Sequence, residues 1–108
     1  MIYEQVNTED IDGFRVVLSF APEDMHPRDL FDDAIEDLED ICDKIDKGLL
    51  LWFVARVEAY KHDVLLGSDY LGGCLYESVR DFIEGGYYID MVSNVTSEAK
   101  QMIAKLSS

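Results

Sequence analysis

From Asp29 to Lys47 the chain reads DLFDDAIEDLEDICDKIDK, with a carboxylate at nine of nineteen positions. Side chains of that type, packed that closely, do electrostatic work: they attract cations and the lysine and arginine side chains of other proteins. Wound as an α-helix at about 100° per residue, Leu30, Phe31, Ala34, Ile35, Leu38, Ile41, Cys42 and Ile45 fall within an arc of roughly 140°. That arc predicts a face buried against the body of the protein. Asp29, Asp32, Asp33, Glu36, Asp37, Glu39, Asp40, Asp43 and Asp46 take the other side, with Lys44 and Lys47 as the only cations among them.

Other chemistry finds little support in the residue pattern. A calcium-binding EF-hand loop needs oxygens at alternating positions and a glycine at its sixth position, whereas these acids follow a helical period with no glycine inside it. No metal site or cofactor is expected. His26 and His62 are the only imidazoles, one between Met25 and Pro27 and the other in an expected turn, neither placed by sequence beside a nucleophile. No G-x-S-x-G, phosphate loop or H-E-x-x-H occurs, so the chain is not expected to be an enzyme. Cys42 lies on the apolar arc, and Cys74 follows Gly72 and Gly73. At 32 positions apart and with no C-x-x-C, they fit neither a disulfide framework nor a zinc site.

The elements that must hold the acidic segment are legible from hydrophobic period and breakers. In 108 residues, 48% of them hydrophobic, one compact domain spanning 1–108 is expected. Residues 2–6 and 14–20 read as strands joined by the polar stretch Asn7 to Gly13; Phe14, Val16, Leu18 and Phe20 alternate with Arg15, Val17 and Ser19. Pro22 and Pro27 break the pattern, and the acidic helix begins just after Pro27 and stops at Gly48. Leu49 to Tyr60 reads as a strand, with a helix as the competing assignment; Lys61 to Asp63 forms a turn, and Val64 to Leu66 starts a further strand. GSDYLGGCLY predicts a loop or bulged strand where backbone passes close to a neighbour. Ser78 and Asp81 predict the start of a short helix closed by Gly85 and Gly86. Met91, Val92, Val95, Ala99, Met102, Ile103 and Leu106 mark a final helix, with Asp90 near its start and Lys100 and Lys105 near its end suiting its dipole. The fold class is therefore α+β, a small antiparallel sheet of about four strands with two to three helices packed on it, in the order ββαββαα.

The formal charge is −14, from 23 acids against 9 bases. It argues against direct contact with nucleic acid or an anionic membrane. The N-terminus MIYEQVNTED lacks the pattern of a signal peptide and the longest apolar run is too short to span a bilayer, so a cytoplasmic location is expected. A 19-residue helix is about 28 Å long, which spaces nine acids at roughly 3 Å, close to the 3.4 Å per phosphate of one DNA strand. In size, charge and the acidic helix from Asp29 to Asp46, the chain resembles the small acidic phage and plasmid proteins that inhibit restriction enzymes or CRISPR effectors by imitating DNA. That resemblance implies a non-enzymatic interaction domain whose partner is a basic protein surface, such as that of a nucleic-acid-binding protein. Asp32, Asp33, Glu36, Asp37, Glu39, Asp40 and Asp43 are the expected contact residues. The alternative is an accessory domain acting through an apolar and tyrosine surface near Tyr70, Tyr76, Tyr87 and Tyr88, compatible with a homodimer, in which the acids serve solubility alone. Pairing by Lys44, Lys47, Arg56 and Lys61 would weaken the first reading.

Overall fold

In the computed structural model, which describes residues 2–30 and 38–107, two hairpins run on into one antiparallel sheet of order β1-β2-β3-β4. β1 (Glu4–Ile11) and β2 (Phe14–Pro22) form the first, β3 (Leu51–Lys61) and β4 (Val64–Tyr76) the second. The first turn is Asp12-Gly13, with both residues at positive φ (54° and 86°), the backbone of a two-residue turn whose twist matches that of the flanking strands. The expected loop over 7–13 is thus a correction: β1 continues through Asn7 to Ile11, opposite Leu18 to Phe14. Its polar side chains hid it, because an edge strand pairs through backbone and needs few apolar residues. In the second turn His62 and Asp63 hold positive φ (51° and 66°) without a glycine.

The glycine-rich stretch is the bulged strand among the two alternatives foreseen for it. β4 slips register against β3 between the pairs Phe53↔Cys74 and Ala55↔Leu71, with Gly73 at φ 65° as the bulge residue. Lower down, Ala59 pairs with Gly67, and a Cβ on Gly67 would lie 3.2 Å from the carbonyl carbon of Val95. Helix backbone rests directly on strand backbone there.

That helix is α4 (Tyr87–Ser107), preceded by α3 (Val79–Glu84). Ser78 caps α3 by accepting a hydrogen bond from the Asp81 amide (3.2 Å), which satisfies one of the donors a helix start leaves open. One face of the sheet supplies Phe14, Val16, Leu18, Phe53, Ala55, Val57, Ala59, Leu66 and Cys74; Phe82 of α3 and Tyr88, Met91, Val92, Val95 and Ala99 of α4 cover it. The interval expected to be one acidic helix contains α1 (Pro27–Leu30) and α2 (Leu38–Asp46), and its middle lies outside the described residues. Among the described residues no helix is long and apolar enough to cross a membrane.

Tyr88 ties α4 to the edge strand. Its hydroxyl donates to the Glu9 carboxylate and accepts from Asn7 Nδ2 (3.3 Å). Burial, then the bond to Glu9, pushes this hydroxyl from its ordinary 10 up to about 12. The folded state therefore holds the neutral phenol more tightly than the unfolded chain does. That contribution is present below pH 10 and disappears as pH rises through 12, for a total of about 2–3 kcal/mol. Urea unfolding between pH 8 and 12 will show a fall in stability that is visibly shallower in Tyr88→Phe; equal slopes for the two proteins would refute this linkage.

Candidate docking surface

The approach to the acidic segment is clamped to the sheet at two points. Glu23, just past β2, accepts from the Gly73 amide through Oε2 (2.8 Å) and from the Met25 amide through Oε1 (3.2 Å). The Trp52 indole N–H donates to the Met25 carbonyl (2.8 Å). Pro27 follows, and the Asp29 amide donates to the His26 carbonyl (2.8 Å) to open α1. His26 Nδ1 accepts from the Arg28 amide (3.1 Å). Its ring shares a groove of about 280 Å³ with Glu23, Asp24, Cys42, Asp46 and Trp52, where both oxygens of Glu23 are already committed to backbone.

α2 ends in a defined way. The Leu49 amide bonds back to the Lys44 carbonyl (2.9 Å) and the Gly48 amide to that of Ile45 (3.0 Å), with Gly48 at φ 76°. This is the Schellman arrangement, and Gly48 is the stop expected of it. Leu38 is buried, Ile41, Cys42 and Ile45 are half-buried, and Glu39, Asp40, Asp43 and Asp46 are exposed. The segregation of apolar and acidic faces therefore holds over these nine residues.

Of the expected contact residues, Glu39, Asp40 and Asp43 stand on this exposed face, while Asp32, Asp33, Glu36 and Asp37 lie outside the described residues. Self-pairing is partial. Lys44 Nζ lies 3.0 Å from Asp40 and Lys47 Nζ 2.8 Å from Asp43, each a partner four residues away with both side chains roughly half exposed. Pairs of this kind contribute about 0.3–0.5 kcal/mol. Arg56 and Lys61 do not join them. Arg56 faces Glu58 (3.0 Å) and stacks on Tyr3 (4.0 Å to the ring centre), and Lys61 lies over the Phe14 ring at 5.8 Å.

Sequence reasoning missed what the sheet does on the face away from α4. Arg15 stacks on Tyr60 (4.9 Å), Arg56 on Tyr3, and Tyr3 meets Tyr70 edge to face, so guanidinium and phenol groups roof over Val17, Ser19 and Glu58, all buried. Burial and then the Glu58 charge raise the Tyr60 hydroxyl above its ordinary range. The alternation in 14–20 set Arg15, Val17 and Ser19 on one side of β2, but the pairing across strands depends on register. The expected tyrosine surface also contracts. Tyr88 is 5% exposed, and Tyr76 packs edge to face on Phe82 at 5.1 Å, which leaves Tyr70 and Tyr87, at 56% and 57% exposure. Cys74 is buried and its thiol pushed up to about 11 by that burial, so it packs as a small apolar group.

A second depression, of about 530 Å³, lies on the other flank of Ile45 and is walled by Val6, Phe20, Leu50, Leu51, Phe53 and Val79, with Glu4 beside them. Phe20 and Phe53 stack at 3.8 Å between ring centres. Among the described residues no cluster of three or more His, Cys, Asp or Glu is placed to hold a metal ion. Comparison with protein-family models, with curated proteins and with solved structures found no match to this chain.

Proposed function

We propose that this protein is a non-enzymatic docking domain that presents the acidic face of α2 to a basic protein, and that it does so as a DNA mimic acting on a nucleic-acid-binding or defence protein in the cytoplasm. The observation that carries the reading is the display of Glu39, Asp40, Asp43 and Asp46 on one exposed helix face. Nine helical residues span about 13.5 Å, so four acids are spaced at about 3.4 Å, the interval of phosphates along one strand of B-DNA. Lys44 and Lys47 lower the net density. Their pairs are exposed and weak, so a partner's arginine or lysine displaces them at little cost. The charge of −14 adds long-range steering of a cationic partner.

The test is capture of host proteins on the immobilised chain at 50 and 200 mM salt, with duplex DNA as competitor. With about four carboxylates engaged, affinity will fall on the order of 100-fold over that range. Captured proteins will be displaced by DNA, and the combined Glu39→Lys, Asp40→Lys and Asp43→Lys variant will lose them. Affinity indifferent to salt and to the triple reversal refutes acidic docking. Salt-sensitive binding that DNA does not displace refutes mimicry alone.

A further inference from the structure

The apolar stripe of α4 does not stop where the sheet stops. Met91, Val92, Val95 and Ala99 are buried against the sheet, and the same period continues through Met102, Ile103 and Leu106, of which Met102 is 40% and Leu106 74% exposed. This end of α4 lies at the hairpin turns: Lys100 Nζ is 3.0 Å from Asp12 Oδ2, and Arg15 is 3.5 Å from Asp63. Val64 and Leu65, which open β4 just past the second turn, are 56% and 48% exposed. β4 is an edge strand, so its outer row of backbone donors and acceptors meets no further strand. An apolar helix end and an apolar strand end are thus left uncovered at one end of the molecule.

We propose that this end is a homodimer interface, in which two α4 helices lie antiparallel beside the edges of their β4 strands and Glu98 of each copy faces Lys105 of the other. The occupant follows from charge. Asn94, Glu98, Gln101 and Lys105 recur at helical spacing along one side of α4, and Asn94 Nδ2 donates to Asp69 Oδ2 of β4 (3.1 Å), which sets that row over the edge strand. All four are exposed. Reversed against itself about a twofold axis between Gln101 and Met102, the row is self-complementary: two opposite-charge pairs enclose two Gln101 amides, each a donor and an acceptor. Exposed ammonium groups exchange partners at little cost, so Lys105 can turn to the second copy. Nor does net charge oppose the contact. In 10–15, 60–66 and 98–106, Arg15, Lys61, Lys100 and Lys105 balance Asp10, Asp12, Asp63 and Glu98, so all of the formal −14 lies elsewhere. α2 stands at the other end of the sheet, where Ile45 shares a depression with Phe20 and Phe53. The nine residues of β2 put about 30 Å between the two ends, several Debye lengths at physiological salt. A strongly basic or strongly acidic surface finds no complement here, whereas a second copy supplies one for every group. The inference does not depend on the docking role of α2.

Sedimentation equilibrium of the full chain over a range of about 5 to 500 µM will show the mass rising from 12.3 kDa toward twice that value, as mass action requires of a self-associating chain. Glu98→Lys and Lys105→Glu, each verified to be folded by circular dichroism, set like charges opposite one another and will each weaken dimerisation about tenfold or more. Mixed in equal amounts, the two variants will associate with each other as tightly as the parent does with itself, because each supplies the charge that the other lacks. Met102→Gln, which removes apolar contact at the centre of the interface, will weaken the dimer as well. A chain that stays monomeric throughout the range, or a dimer that all three variants leave intact, overturns the interface. Loss of the dimer in both charge variants without rescue on mixing overturns the antiparallel pairing.

Discussion

Gly67→Ala unseats α4 and lowers the stability of the protein by about 3 kcal/mol or more. The added Cβ would sit 3.3 Å from the Val95 Cα, 3.2 Å from its carbonyl carbon and closer still to its carbonyl oxygen. Both partners are main chain, one in the central run of β4 and the other inside α4, so no rotamer change relieves the overlap. Relief requires helix and sheet to part, which loosens the contact of Val95 and Ala99, each 0% exposed, with the sheet. Overpacking a core ordinarily costs about 1–3 kcal/mol when side chains can yield. Here they cannot, and the upper end is the floor of the estimate. Gly72→Ala is the matched control in the same strand, because its Cβ would meet only the Glu23 carboxylate at 3.2 Å, the end of a flexible side chain. Thermal unfolding followed by circular dichroism will place the Gly67→Ala midpoint about 10 °C or more below the parent and the Gly72→Ala midpoint much nearer to it. Similar midpoints for the two variants would show that α4 does not bear on β4 at Gly67.

The close approach at Gly67 was foreseeable in kind. Three glycines within GSDYLGGCLY signal backbone contact or a bulge, and the structure holds one of each, the contact at Gly67 and the bulge at Gly73. What no single sequence discloses is which glycine does which, since that depends on the register of β4 against Ala59 and Phe53. The same limit explains the rest. Period-two alternation in 14–20 identified the face of β2 that packs under α4, and Ser78 and Gly48 identified helix ends, because those signals are local. β1 escaped notice beyond Val6, since its stability comes from pairing with β2 rather than from its own side chains. Of the site, the acidic face of α2 follows from its period and the two lysine pairs from their four-residue spacing. The burial of Tyr88 and the half-burial of Tyr76 do not, because a tyrosine reads alike in sequence whether its ring packs on Phe82 or faces water. The depression beside Ile45 is the least legible of all: residues 6, 20, 45, 50 and 79 meet only after both hairpins and α3 are in place.

α3 shows how much of this arrangement hangs on one ring. The helix has six residues, too few to be stable by themselves, and Phe82, at 0% exposure, is its one fully buried side chain. Around that ring stand Phe20 and Phe53, each at 5.5 Å, Tyr76 at 5.1 Å and Tyr88 at 6.5 Å, all edge to face. Phe82→Ala will therefore cost about 3–5 kcal/mol, the cost of a cavity that a short helix held by one cap can only partly close. Against a total of about 5–15 kcal/mol for a domain of this size, that loss brings the protein near its unfolding threshold at 37 °C. Phe82→Leu separates volume from ring geometry: it keeps most of the apolar contact and forfeits the edge-to-face pairs, worth about 0.5–1.5 kcal/mol each. Denaturant unfolding will rank the parent above Phe82→Leu and that above Phe82→Ala. A Phe82→Ala protein as stable as the parent would mean that α3 is not docked on the sheet, and the wall that Val79 gives the depression beside Ile45 would be lost with it.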